Sequence, residues 1–278
     1  MTILEFTLFI LFISLAAGFL GSLTGLGGGM VIVPLLTIIF GVDIRYAIGA
    51  SLVSVIATSS GAAAAYVKEG FTNIRLGMLL EVATTLGALS GAFVAAYIAP
   101  GTIAIIFGLA LLYSAYLSIK PKQDVIIPPQ DKGLVHFFKL SSQYPTKEGK
   151  TKYSVKALPG GFGLMYIAGI LSGLLGIGSG AIKVLAMDHI MKVPFKVSTT
   201  TSNFMIGVTA AASVGVYLNR GYVDPGLAMP VMLGVLSGAL IGARVLVKSR
   251  TKVLRIVFSL AILFLAIEMM YKGITGSM

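Results

Sequence analysis

No cysteine occurs anywhere in the 278-residue chain. Disulfides, thiolate nucleophiles and thiolate-bound metals are thereby excluded. Histidine is almost as scarce, with only His136 and His189, so a multi-ligand transition-metal site has little to be built from. Neither a metal nor a cofactor is expected. The third shortage is charge. Only 11% of the residues are Asp, Glu, Lys or Arg, where a soluble domain carries about 25%. Apolar residues fill the gap: 56% of the chain is hydrophobic and its mean hydropathy is +0.96. That balance describes an integral membrane protein, with the lipid bilayer as its first partner.

The few charges are unequal, giving a net +11. Nucleic-acid binding would need the Lys and Arg residues on one continuous face. Here they flank apolar runs, as orientation signals of membrane spans do, so nucleic acid is not an expected partner. The N-terminal stretch MTILEFTLFILFISLAAGFLGS lacks the basic start of a secretory signal and carries Glu5. It is expected to remain as a helix.

Apolar runs bounded by charge, Pro or Gly predict helical segments at Ile3–Thr24, Met30–Phe40, Ile48–Val67, Ile74–Ile98, Thr102–Ile119, Phe162–Leu175, Ala181–Met191, Thr199–Leu218, Gly226–Val247 and Val253–Tyr271. A Lys-rich polar stretch divides them. The expected organisation is a first transmembrane repeat over 1–119, a cytoplasmic linker over 120–157 and a second repeat over 158–278. The linker is expected to be a solvated connector, with at most a short amphipathic turn at LVHFFKL.

A shift of 151 positions aligns the two halves without a gap. Gly18, Gly25, Gly27 and Gly29 fall on Gly169, Gly176, Gly178 and Gly180; Ser51, Thr58 and Tyr66 fall on Ser202, Thr209 and Tyr217. GALSGAFV (Gly87–Val94) then meets GALIGARV (Gly238–Val245). Matched Gly, Ser, Thr and Tyr positions reach beyond what a shared apolar composition supplies. If the second unit is inverted, sixteen basic residues lie on the linker side and only Arg45, Arg220 and Lys272 on the other. Parallel units would put the cluster KSRTKVLR (Lys248–Arg255) outside. The positive-inside rule therefore favours inversion, with both termini external in the cell membrane. The expected fold is an all-α membrane protein of two inverted repeats.

Two segments are too short to cross. Met30–Phe40 and Ala181–Met191 each hold 11 residues, about 16 Å of helix against a hydrocarbon core of about 30 Å. Each follows a glycine-rich tip, GLGGG (Gly25–Gly29) or GIGSG (Gly176–Gly180). Irregular backbone at membrane depth is tolerated where protein buries it or a polar cavity hydrates it. Glycine permits left-handed backbone and close approach, and a helix starting there turns free N–H groups toward an anion. Paired interruptions at matching places in two halves point to a transport site near the midplane. Tight helix packing is the plainer explanation, and it is the preferred one for the GALSGAF and GALIGAR glycines.

These motifs carry a resemblance. GSLTGLGGGMVIVPLL followed by AIGAS (Ala47–Ser51), with its second copy GLLGIGSGAIKVLAM and STTTSNFMIGVTAAAS (Ser198–Ser213), resembles the TauE/SafE family of sulfite and organosulfonate exporters and related permeases. The resemblance spans both halves and leaves only the linker uncovered. Ser179 stands where the family's GIGGG tip has Gly, and AIGAS lacks the Thr of the family's AVGTS. The resemblance implies export of small sulfur-containing anions such as sulfite or organosulfonates, by alternating access. It leaves the particular anion open.

The candidate substrate-binding set is accordingly Gly25, Gly27, Gly28, Gly29 and Ser51 in the first unit. In the second it is Gly176, Gly178, Ser179, Gly180, Lys183, Ser202 and Asn203. Lys183 lies three residues past the second tip, where a cation is costly unless used. Glu81 is the candidate for proton coupling, or else a partner for Lys183 or Arg244. Asp188 and His189 are expected at a solvated helix end. An enzyme needs a constellation of nucleophile, base or metal ligands, and none is visible. A channel, a transporter of a carboxylate, sulfate or thiosulfate, or a cation transporter using tip carbonyls stays open, as does a homodimer.

Overall fold

The computed structural model describes residues 3–24, 28–68, 70–119, 134–146, 149–248 and 251–276. Its first half runs α1 (Ile3–Thr24), α2 (Gly29–Ile39), α3 (Ile44–Lys68), α4 (Ile74–Ala95) and α5 (Pro100–Ile119). A short α6 (Leu134–Phe137) and the strands β1 (Ser142–Thr146) and β2 (Gly149–Tyr153) follow. The second half holds α7 (Leu158–Leu175), α8 (Gly180–Leu185), α9 (Phe195–Asn219), α10 (Pro225–Lys248) and α11 (Thr251–Thr275).

Local chemistry sets many of these ends. Asn73 caps α4, its side chain accepting from the Leu76 amide at 3.1 Å. The Asp224 carboxylate accepts from the Gly226 and Leu227 amides at 2.6 and 3.3 Å and opens α10 behind Pro225, a proline at the position where its missing N–H costs nothing. Gly176 closes α7 in the left-handed conformation, φ +69°.

Among the described residues, five helices contain stretches long and apolar enough to cross a bilayer: Leu4–Gly21, Ile74–Ala95, Leu158–Leu175, Phe195–Asn219 and Pro225–Gly242. Large apolar side chains stand outward on these helices and on α11. Met78, Val82, Leu86, Leu89 and Phe93 form one exposed stripe along α4, and Leu260, Phe264, Ile267 and Tyr271 another along α11. Gly87, Gly91, Gly169, Gly173 and Gly238 face inward against neighbouring main chain. This arrangement suits lipid as solvent, where helices associate by close packing of small residues. The chain is an all-α, multi-pass membrane protein.

The helices pair across the two halves: α1 with α10, α4 with α7, α5 with α11 and α3 with α9. The glycine contacts exchange under the 151-residue shift. Gly18 lies against the Val235 carbonyl and Gly169 against that of Thr84; Gly87 lies against the Tyr166 carbonyl and Gly238 against that of Leu15. A Cβ at any of the four would collide with main chain. The repeat-related helices α3 and α9 run antiparallel. Gly49 approaches Tyr222 at one end, and Ser59 bonds the Asn203 carbonyl nearer the other.

The linker departs from the expected solvated connector. Its described part folds as α6 and an antiparallel β1–β2 pair, in register from Ser142–Tyr153 to Thr146–Gly149. Leu140, Tyr144 and Tyr153 are buried together with Leu76 and Leu80 of α4. Asn73 Nδ2 donates to the Leu140 carbonyl at 2.9 Å and to Tyr153 Oη at 2.8 Å, while its amide donates to Thr201 Oγ1 of α9 at 3.0 Å. A high Lys content hid one apolar face in this stretch.

Candidate functional site

The two broken segments meet between the halves. Gly29, which opens α2, has so little room that a Cβ would stand 2.8 Å from Ser51 Oγ and 3.1 Å from the Gly176 carbonyl. Ser51, on α3, donates to that carbonyl at 2.8 Å. The first tip, α3 and the second tip are thus in direct contact. Gly178 (φ +69°) packs against Ile206 and Val55, and Gly180 against Ile206. Ser202, the repeat counterpart of Ser51, donates to the Gly180 carbonyl at 3.2 Å. Both serine hydroxyl protons are therefore committed to the backbone of the second tip in this conformation.

The other candidates are placed as follows. Gly28 precedes α2 and faces Val235. Gly25 and Gly27 lie outside the described residues. Ser179 is enclosed, in left-handed backbone with φ +47°, and its Oγ has no partner among the described residues. Left-handed backbone is where glycine is ordinarily found, so Ser179 departs from the glycine pattern at the position most suited to one. Asn203 is half-buried, and its carbonyl accepts from Ser59 at 2.6 Å. The Arg244 side chain is outside the described set.

The segment predicted as one half-helix, Ala181–Met191, is divided. Regular α-helix covers Gly180–Leu185, and a π turn covers Ala186–Ile190, closed by the Met191 amide on the Ala186 carbonyl at 3.0 Å. Pro194 stops further winding, since it has no N–H and disfavours helix in the residue before it. The π turn leaves His189 exposed at the helix end, as expected, whereas the Asp188 side chain is largely buried rather than solvated.

Lys183 is completely buried. Its Nζ donates to Thr209 Oγ1 of α9 at 2.5 Å, and the Thr209 hydroxyl reaches Glu81 Oε1 of α4 at 2.6 Å. Lys183 is therefore engaged with its own protein here rather than opening onto the tips. Glu81 is also buried; Thr85 donates to the same Oε1 at 3.2 Å, while Oε2 has no partner among the described residues. One threonine thus links an ammonium and a carboxylate drawn from opposite halves. Sequence reasoning singled out Lys183 and Glu81 but passed over Thr209. The available signal was the Thr58–Thr209 match in the repeat, which marks a hydroxyl without saying what it touches.

The set breaks the internal symmetry. The repeat counterparts of Lys183, Glu81 and Thr209 are Ile32, Met232 and Thr58, and Thr58 donates to the Ser54 and Val55 carbonyls of its own helix. A groove of about 440 Å³ between α4 and α9, with Arg220 at its far end, is lined by Leu89 and Ala212. These stand one helical turn beyond Thr85 and Thr209.

A family model described as sulfite exporter TauE/SafE matches residues 10–269. A probable membrane transporter protein of Bacillus subtilis (strain 168), YunE, is 30% identical over 94% of this chain and 96% of its own. A second from the same organism, YdhB, is 25% identical over 84% and 88%. The probable membrane transporter protein MJ0441 of Methanocaldococcus jannaschii is 27% identical over 90% of each. No solved structure matches the chain.

Proposed function

The chain belongs to the sulfite exporter TauE/SafE family of membrane transporters, and on that premise we propose that it is a secondary transporter of small sulfur-containing anions, sulfite or organosulfonates among them, working by alternating access between its two halves. The observation that carries this reading is the meeting of the two glycine-rich breaks, joined by the Ser51–Gly176 hydrogen bond, with the enclosed Lys183 three residues past Gly180 at the end of the second break. Fused halves whose broken helices meet between them suit rocking of one half against the other. The antiparallel course of α3 and α9 supports inverted repeats. The family's description supplies sulfite and the outward direction. An anion has a lysine to meet, whereas a cation would face it.

Reconstitution tests the proposal. Purified protein should be stabilised against heat by one or more of sulfite, sulfate, thiosulfate, sulfoacetate and taurine, by RT ln(1 + [L]/Kd). Sealed vesicles should then move the stabilising anion saturably. Stabilisation and transport by small carboxylates alone would reassign the substrate class, and ohmic, unsaturable flux would make the protein a channel.

A further inference from the structure

We propose that Glu81, Thr209 and Lys183 form a proton-coupling site, in which Glu81 takes up one proton for each anion that engages Lys183. The proposal rests on the anion-transport reading above and names its coupling ion. The ammonium and carboxylate cancel each other's charge inside a closed environment: Lys183 is 0% and Glu81 6% exposed. An anion that pairs with Lys183 leaves the Glu81 carboxylate as a buried, uncompensated charge, which low-dielectric surroundings penalise. Protonating Glu81 restores the balance.

The hydrogen bonds accommodate both forms. With Glu81 ionised, the Thr209 hydroxyl accepts from Lys183 and donates to Oε1. The same hydroxyl also lies 2.9 Å from the Met205 carbonyl. When Glu81 is protonated, its O–H can donate to Thr209, and the threonine proton turns to Met205. No bond breaks except that to the incoming proton, which comes from water and returns to it on release.

The neighbours leave Glu81 to this role. From α8 it faces Lys183, from α9 Thr209, and from its own helix Thr84 and Thr85. On α7 the single titratable side chain, Tyr166, lies against Ser90, far along α4. Because proton and anion bind together, they move in the same direction. Export then runs where the anion accumulates inside beyond what an inward proton gradient opposes.

The test uses the full-length protein in proteoliposomes containing a pH indicator. The probes are methanesulfonate, sulfoacetate, sulfate and thiosulfate, whose charges stay constant near neutral pH. The wild type should move protons with the anion, and apparent affinity should weaken about tenfold per pH unit once Glu81 is ionised. Glu81→Gln should move the anion without protons and without that pH dependence. Thr209→Val should blunt the pH dependence and Thr209→Ser should retain it. Anion movement by the wild type without protons, or proton-coupled movement by Glu81→Gln, would overturn the coupling and leave the transporter reading intact. If the wild type moves none of these probes and no sulfite either, the functional reading falls and the coupling with it.

Discussion

Single positions bear the closest packing. Gly178 holds φ +69°, and a Cβ there would stand 2.7 Å from Ile206 Cγ2. Gly178→Leu should therefore abolish transport while the protein still reaches the membrane, as vesicle flux and membrane fractionation would measure. Normal flux would return this glycine to a packing role. The charged pair makes a second residue-scale prediction. Removing one member of a buried pair costs up to about 3–5 kcal/mol, because the other charge is left alone. Lys183→Met should lower thermal stability, and the Lys183→Met/Glu81→Gln double variant should recover much of the loss. A double variant no more stable than the single would mean that the two charges do not compensate one another.

Among the elements, the β1–β2 hairpin is the one whose docking hangs on a few side chains. Asn73→Ala would leave the Leu140 carbonyl and Tyr153 hydroxyl short of a donor, a loss of about 1–3 kcal/mol for buried groups. Proteolysis within 142–153 should accelerate while the helices stay protected. Burial pushes the Tyr153 phenol up to about 12, against the opposing pull of its Asn73 and Ser142 hydrogen bonds. A phenol raised in the folded state contributes its stability below the unfolded pKa, about 10, and loses it as pH rises toward the folded value. The hairpin should thus undock between those limits. In Tyr153→Phe the high-pH step of the tyrosinate absorbance titration should vanish; its persistence would assign the step to another tyrosine.

At the scale of the whole molecule, the two ends are chemically different. The docked linker sits over the start of α4, whereas Arg45 and Arg220 donate to carbonyls at its finish, Ile98 and Phe93, at 3.0 and 3.1 Å. Lys272, near the chain's end, donates to Ile38 at the close of α2 at 3.1 Å. With the linker in the cytoplasm, these last three basic residues would be external. The absence of native cysteine makes the check direct. A cysteine at Lys150 should react with an impermeant thiol reagent only after cells are permeabilised, and one at Thr275 should react in intact cells. The reverse pattern would overturn this orientation.

The sequence alone determined the class and most of the helices, because hydropathy is local, and it suggested a duplication through glycines and hydroxyls that recur at a shift of 151 positions. α1 begins and ends where its apolar run does, Ile3–Thr24. It also picked out Lys183 and Glu81, since a charge in an apolar run is visible without coordinates. Only the tertiary structure decided what those charges meet. Lys183 lies 102 positions from Glu81 in the chain, and Thr209 joins them only because α4, α8 and α9 converge. The hairpin was equally hidden. Its lysines dominate the composition, while Tyr144 and Tyr153 become an apolar face only when strand pairing brings them together and Asn73 supplies the donor that lets a phenol be buried.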